Sequence, residues 1–408
     1  MILMSSSQQD DSRTAEESQL DLTLFATNSI YRQTVEPIGE EARSRGHTVT
    51  YTEDRKADAE IGIYPQHTYE IPEVNAELSV IMFHGLDMGY RSRWPSENWS
   101  RFDIGLLPDT VSENTWKEDA NHPYAHPTVG VFNVGWPKSD SLFSDEFQEE
   151  VEQYRLDNKI EGERIVLYAP TKEGEGKLFD YVDAVSGVAD ALLIKHAPYE
   201  YESELQSLYE QLPDRDDIYT LHWDDQIMHA LSVADVVVSD ESSVLQEAPL
   251  TDTLPVAVMD WPKKPNSNRK RSYSQLPDFA IQCDVDELGG TVDEIFEDYD
   301  SRLKTLQEQC LDHYPNLGRS SEVVVDIIEA VVHDESLPVD PLSSPKEIQQ
   351  TEDTMYEAAQ GTVAKQYLRL RYAVTDRLSE KNEQRLKKLK MDKALNKADN
   401  IVGYKKFR

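Results

Sequence analysis

Ala234-Asp235-Val236-Val237-Val238-Ser239-Asp240-Glu241-Ser242-Ser243-Val244-Leu245-Gln246-Glu247-Ala248 decides the fold class. Its β-branched run reads as a strand buried on both faces, as in parallel sheets, where strands are continuous apolar stretches. The run breaks at Asp-Glu-Ser-Ser and turns directly into a helical pattern. Two hydroxyls and the first N–H groups of a helix then lie just outside the carboxyl end of a strand. That is where α/β proteins hold phosphate, because orphan N–H groups and the helix dipole both favour an anion. A Ser243/Gln246 capping box without a ligand accounts for the same residues. Both readings stand at this point.

Working outward, the same alternation recurs. Strands are expected at Arg164–Ala169, Ala191–Lys195, Asp217–Leu221, Asp235–Ser239 and Pro255–Met259. Helical patterns fit Leu178–Ala189, Tyr199–Gln211, Asp224–Val233 and Ser243–Leu250, then Val292–Cys310 and Arg319–Val332. Upstream, apolar runs at Leu20–Ala26, His47–Tyr51, Ala59–Tyr64, Leu78–Phe83, Phe102–Leu107 and Thr128–Val134 form a first alternating unit, with a helix over Val35–Arg45. Phe143–Leu156 is a polar helix joining the halves. This pattern predicts an α/β protein of two Rossmann-like, doubly wound domains facing a cleft. The expected division is a disordered N-terminus over 1–19, a first domain over 20–150 and a second over 151–332. A Pro-, Asp- and Ser-bearing linker follows over 333–350, then a basic helical tail over 351–408.

Charge bounds the partners. The chain of 408 residues carries 41 Lys+Arg against 77 Asp+Glu, a formal charge of −36. The acid is spread along the body, so the folded chain repels itself in dilute buffer. In molar salt the screening length falls to about 3 Å, and this composition is that of halophilic proteins. Nucleic acid is not an expected partner of so acidic a body. From Lys365 to Arg408 the balance reverses, with 14 basic against 5 acidic residues, a net of +9. That segment suits an anionic membrane surface or an acidic partner, a fold back onto the acidic body, or a solvated helix. The two cysteines, Cys283 and Cys310, have no metal-ligand spacing. No apolar run approaches the ~20 residues of a membrane span. Residues 1–20 lack a signal-peptide core, so a cytoplasmic protein is expected, peripheral on the inner face of the membrane if the tail docks there.

Candidate chemistry sits where the strands end. His84-Gly85 follows Leu78–Phe83, Thr171-Lys172 follows Arg164–Ala169, His196-Ala197-Pro198 follows Ala191–Lys195, and Asp240–Ser243 follows Asp235–Ser239. In open α/β sheets these ends line the ligand crevice, and a histidine there can serve as acid or base. Lys263, Lys264, Arg269, Lys270 and Arg271 form a local basic cluster, suited to an anionic substrate or to salt bridging. Trp261-Pro262 closes a strand on the same side. His122 and His126 flank loop prolines and are read as surface residues. Asp224-Asp225 are expected to cap the following helix.

Six segments in order resemble the CDP-glycerol glycerophosphotransferase family, the teichoic-acid primases and polymerases. They are His84-Gly85, Val134-Gly135-Trp136-Pro137-Lys138-Ser139-Asp140-Ser141-Leu142-Phe143, Leu167-Tyr168-Ala169-Pro170-Thr171, Leu193-Ile194-Lys195-His196, Ala234–Ser243, and Gly318-Arg319-Ser320-Ser321-Glu322-Val323-Val324-Val325-Asp326. The resemblance implies a GT-B fold and transfer of glycerol phosphate from CDP-glycerol to an acceptor hydroxyl on a lipid-linked or cell-surface glycan, releasing CMP. It implies His84 as base, His196 on the phosphates or leaving group, and Ser242, Ser243 and Asp240 in the donor site, with Thr171 and Lys172. Three positions depart from the family pattern. Glu241 stands where the family has Tyr, Ala197 separates His196 from Pro198, and the Lys after His-Gly is absent, leaving Arg91 and Arg93 as substitutes. No metal is demanded, although Asp240 and Glu241 could hold Mg2+ on the phosphates.

Two alternatives share this sequence. A GT-B glycosyltransferase or sugar-nucleotide epimerase would use an NDP-sugar at the same strand ends. A non-catalytic GT-B-like scaffold would dock through its basic tail and tolerate loss of both histidines.

Overall fold

The computed structural model describes residues 19–86, 99–119, 126–171, 177–196, 202–240, 242–260, 278–310 and 313–342. Lys172, Arg91, Arg93, Lys263, Lys264, Glu241, Trp261-Pro262, the cluster at 269–271, His122, Ala197-Pro198 and the basic tail all lie outside the described residues. Contacts divide the chain into two compact units. The first takes in the chain to His84, Tyr90–Lys138 and the chain from Arg319; the second takes in Gly85–Gly89 and Ser139–Gly318.

The first unit holds a six-stranded sheet of β1 (Asp21–Phe25), β2 (Thr48–Thr52), β3 (Ala59–Tyr64), β4 (Ala76–Met82), β5 (Ile104–Leu107) and β6 (Gly130–Asn133). The order is β2-β1-β3-β4-β5-β6, and every pairing is parallel. This is the flavodoxin-like order, whose direction of winding reverses between β1 and β3. Its core is aromatic: Phe25, Tyr64, Phe83, Trp99, Phe102 and Trp116 are buried together, and the Phe25 and Tyr64 rings stack at 4.1 Å. Edge strand β2, Thr-Val-Thr-Tyr-Thr, has no buried residue, as a solvated edge requires.

The helix Ser29–Ser44 follows β1. Asn28 caps it by accepting from the Tyr31 N–H at 2.9 Å. Its last turn packs against the helix Ser320–His333, which the sequence reading placed at the end of the second domain. Arg45 draws the two helices together, donating to Glu41 at 2.7 Å, Asp326 at 2.6 Å and Glu329 at 2.8 Å. His47 Nε2 meets Glu329 at 2.7 Å, while its Nδ1 accepts from the Leu20 N–H, so Nε2 carries the proton. The segment expected as a linker from 333 returns to the sheet. Leu342 N–H donates to Val131 O at 2.8 Å, and a Cβ on Gly130, which has φ +153°, would come within 2.6 Å of Pro341. Only glycine suits that edge position.

The second unit holds β7 (Ile165–Tyr168), β8 (Ala191–Ile194), β9 (Ile218–Thr220), β10 (Val236–Ser239), β11 (Leu254–Val258) and β12 (Ile281–Cys283). The order is β12-β11-β10-β7-β8-β9, again all parallel. Read from β7, this is the dinucleotide-fold order, with its reversal between β7 and β10. Every residue of β7, β8, β10 and β11 is buried, which is why these strands read as unbroken apolar runs. The helix expected over Val292–Cys310 is two helices, Leu288–Glu297 and Tyr299–Cys310, interrupted at Asp298. Asp224 and Asp225 do not cap the next helix. It begins at Ile227 with Gln226 as cap residue, and the Asp225 carboxylate instead accepts from the Tyr154 hydroxyl at 3.0 Å. His126, read as a surface residue, is half-buried, its ring edge-on to Trp116 at 5.2 Å. Among the described residues no helix is long and apolar enough to cross a membrane.

Candidate functional site

At the reversal point of the second sheet, the loops after β7 and β10 are tied together. The Asp240 carboxylate accepts from the Thr171 N–H at 2.8 Å through one oxygen and from the Thr171 hydroxyl through the other. One residue earlier, the Ser239 hydroxyl donates to Ala169 O at 2.6 Å. The carboxylate therefore pins one loop to the other, which holds both in register at the place where open sheets bind ligands.

Ser242 and Ser243 follow, both half-buried. The capping box is not formed: Ser243 is helical and its side chain makes no capping bond. The nearest contact is Val244 N–H to Ser242 Oγ at 3.4 Å. The helix expected over Ser243–Leu250 is one α-turn, Val244–Glu247, continued as a 3-10 turn over Ala248–Thr251. So short a helix adds little dipole, so a phosphate bound here would depend chiefly on the two hydroxyls and local N–H groups. The turn is held from behind by the Tyr314 hydroxyl on Gln246 O.

His196 ends β8, the other neighbour of β7. Its ring is fully buried. Nδ1 meets the Tyr209 hydroxyl at 2.7 Å, and the Tyr168 ring stands edge-on at 5.7 Å. Nε2 has no hydrogen-bond partner among the described residues. Burial, reinforced by the Lys195 ammonium, pushes its pKa down to about 4, so the ring is neutral at physiological pH. Lys195 Nζ donates to Trp223 O at 3.0 Å, fixing the loop after β9. Tyr209 carried no sequence signal, because its partnership with His196 depends on how a helix packs.

His84 ends β4 in the first unit. Its carbonyl accepts from the Thr34 hydroxyl at 3.0 Å. Its ring lies edge-on to Tyr31 at 4.9 Å and to His67 at 5.3 Å. The Tyr31 hydroxyl donates to Glu70 Oε2 at 2.9 Å; burial, then that carboxylate, pushes the phenol's pKa well up, keeping it a donor. His67, Tyr31 and Glu70 were not singled out in the sequence, though Pro65-Gln66-His67 directly after a strand was a readable signal.

Thus Asp240, Thr171, Ser242, Ser243 and His196 lie on three adjacent strand ends, while His84 stands in the first unit. Among the described residues no group of three or more His, Cys, Asp or Glu is arranged to hold a metal. The expected Mg2+ site rests on Asp240, whose two oxygens are engaged by Thr171, and on Glu241. Glu241 lies outside the described residues.

No protein-family model matches the chain, and no curated protein sequence matches it. Solved structures of similar fold do. One is a wall teichoic acid polymerase TagF variant soaked with CDPG for 30 minutes, at TM-score 0.54 and 13% identity, covering 84% of this chain and 91% of that one. Unaltered TagF gives 0.52 and 13%, covering 82% and 90%. A putative UDP-N-acetylglucosamine 2-epimerase from Listeria monocytogenes gives 0.51 and 10%, covering 79% and 99%. At these identities the likeness is one of fold: the chain has the two-sheet α/β architecture of GT-B type shared by these proteins.

Proposed function

We propose that this chain is a transferase that moves glycerol phosphate, or a related alcohol phosphate, from a CDP-linked donor to a hydroxyl of a lipid-linked or cell-surface glycan, with release of CMP. The observation that carries this reading is the furnished reversal point of the second sheet, where the Asp240–Thr171 tie leaves the Ser242 and Ser243 hydroxyls at the strand end. TagF, similar in fold, is named a wall teichoic acid polymerase and was soaked with CDPG. Ser242 and Ser243 would donate to the donor phosphates. His84 would take the acceptor hydroxyl's proton as its oxygen attacks the phosphorus bearing the glycerol. The P–O bond to CMP breaks, and CMP leaves with that electron pair. Alignment and hydrogen-bond donation to the phosphates carry most of such a reaction. His196, neutral and buried, would act through a hydrogen bond, not as a cation. Residues 91, 93, 172, 263 and 264 remain proposed anion contacts. Molar salt and the cytoplasmic face of the membrane are the proposed setting.

The same strand ends suit the pyrophosphate of an NDP-sugar, and the fold is shared with a putative epimerase. Thermal unfolding in molar KCl with CDP-glycerol, CMP and a set of NDP-sugars separates the readings. A rise with CDP-glycerol and CMP, lost in the Ser242→Ala/Ser243→Ala double variant, supports the proposal. A rise only with uridine or guanosine sugars replaces it with the glycosyl reading.

A further inference from the structure

We infer that the first unit carries a stacking subsite for a neutral sugar ring of the acceptor, built on Tyr69 over His67. This deepens the transferase reading and rests on it for the word acceptor. The subsite stands at the reversal point of the first sheet, where the loops after β1 and β3 part. Open α/β sheets bind ligands there. The turn after β3 is rigid: Thr68 is buried, Arg101 donates to Thr68 O and Ile71 O at 3.4 and 3.0 Å, and Arg55 donates to Glu70 O at 3.3 Å. Within this pinned turn the residue Tyr69 is 74% exposed. It lies nearly parallel to His67, with centroids 5.2 Å apart and planes at 12°. His67 in turn meets His84 at 5.3 Å, so the platform leads to the proposed base. A scattered surface tyrosine is commonplace; a fixed, stacked one at a reversal point beside a histidine is a preorganised binding face.

The chemistry selects the occupant. The negative face of an aromatic ring attracts the polarised C–H face of a sugar. Glu70, next on the turn, gives its carboxylate to Tyr31 through one oxygen and retains acceptor capacity for sugar hydroxyls. A nucleobase also stacks on tyrosine, but its phosphates would meet Glu70 on a chain of charge −36. A neutral ring avoids that repulsion.

Saturation-transfer NMR on the full chain in molar KCl tests this with cellobiose, maltose and diacetylchitobiose as probes, and CMP as comparator. At least one disaccharide should receive saturation through its ring C–H protons. Its binding should weaken about tenfold in Tyr69→Ala and persist in Tyr69→Trp, with CMP binding and the unfolding temperature unchanged. Lack of transfer to all three sugars, unchanged sugar binding in Tyr69→Ala, or loss of CMP binding in that variant each overturns the subsite. Sugar binding that depends on Tyr69 while CDP-glycerol and CMP fail to bind would sink the transferase reading and leave the subsite standing.

Discussion

The two sheets end differently at equivalent places. At the β7/β10 reversal, short polar side chains tie one loop to the next: Asp240 to Thr171 and Ser239 to Ala169. Among the described residues there, Ser242 and Ser243 offer hydroxyl and N–H groups, the chemistry that suits phosphate. At the β1/β3 reversal, aromatic and histidine rings gather: Tyr31, His67 and His84 in contact, with Tyr69 outermost. Rings give a face for stacking and a titratable nitrogen, the chemistry that suits an acceptor and its proton. An aromatic cluster lies beneath the first sheet, while β8 and β10 of the second carry no aromatic residue. On the proposed reading, one architecture, repeated, would divide labour by what each set of loops presents.

The sharpest way to break the contrast is His84→Gln. CMP release from CDP-glycerol with acceptor should fall about 10²–10⁴-fold, while thermal stabilisation by CDP-glycerol persists. Equal loss of both would move His84 out of proton transfer and into binding.

His196 should show its neutrality in the pH dependence of stability. Its pKa is about 4 in the folded chain against a usual 6.5. Between these values the unfolded chain binds a proton that the folded chain does not, so stability is full above about pH 6.5 and falls as pH drops toward 4. The contribution is on the order of 3 kcal/mol. Denaturant titrations from pH 7 to 4 should slope less steeply for His196→Gln than for the parent chain; parallel slopes would refute the buried neutral ring.

Arg45→Ala removes the cation shared by Glu41, Asp326 and Glu329 and leaves their charges facing one another. A loss of about 1.5–3 kcal/mol is expected, with faster amide exchange in Ser320–His333 before the rest of the first unit. Exchange that rises evenly across both units would show that the helix is not held locally.

The smallest effect belongs to Thr171→Val, which deletes the hydroxyl bond to Asp240 and keeps the N–H bond. It should cost about 1 kcal/mol of stability and weaken CDP-glycerol binding more than its stability loss explains. Unchanged donor binding would separate the tie from the site.

Legibility followed burial. The second sheet was readable because strands buried on both faces are continuous apolar runs, and its strand limits fell within a residue or two of the expected ones. Strand β12 (Ile-Gln-Cys) was missed, whereas β9, also three residues at an edge, stood out because Ile218-Tyr219-Thr220 is β-branched and aromatic throughout. The break at Asp298 was hidden because Glu297-Asp298-Tyr299-Asp300 contains neither Gly nor Pro. Ser243 was read as a possible helix cap because Ser-x-x-Gln fits that spacing, yet the backbone at Ser243 is already helical, and a cap residue must stand outside the helix.

By itself the sequence determined the alternation of strand and helix, the all-parallel sheets that alternation demands, and the placement of His84, Thr171, His196 and Asp240–Ser243 at strand ends. Local periodicity and turn chemistry suffice for that. Only the tertiary structure decided the strand orders, and with them which ends became neighbours: β7 between β10 and β8, bringing Thr171 to Asp240, and β3 between β1 and β4, bringing His67 to His84. A crossover helix of given length can return to either side of a strand, so order is settled by which packing buries the most apolar surface. The same packing carried Ser320–His333 back to the first sheet, where Arg45 waits some 280 residues away in sequence.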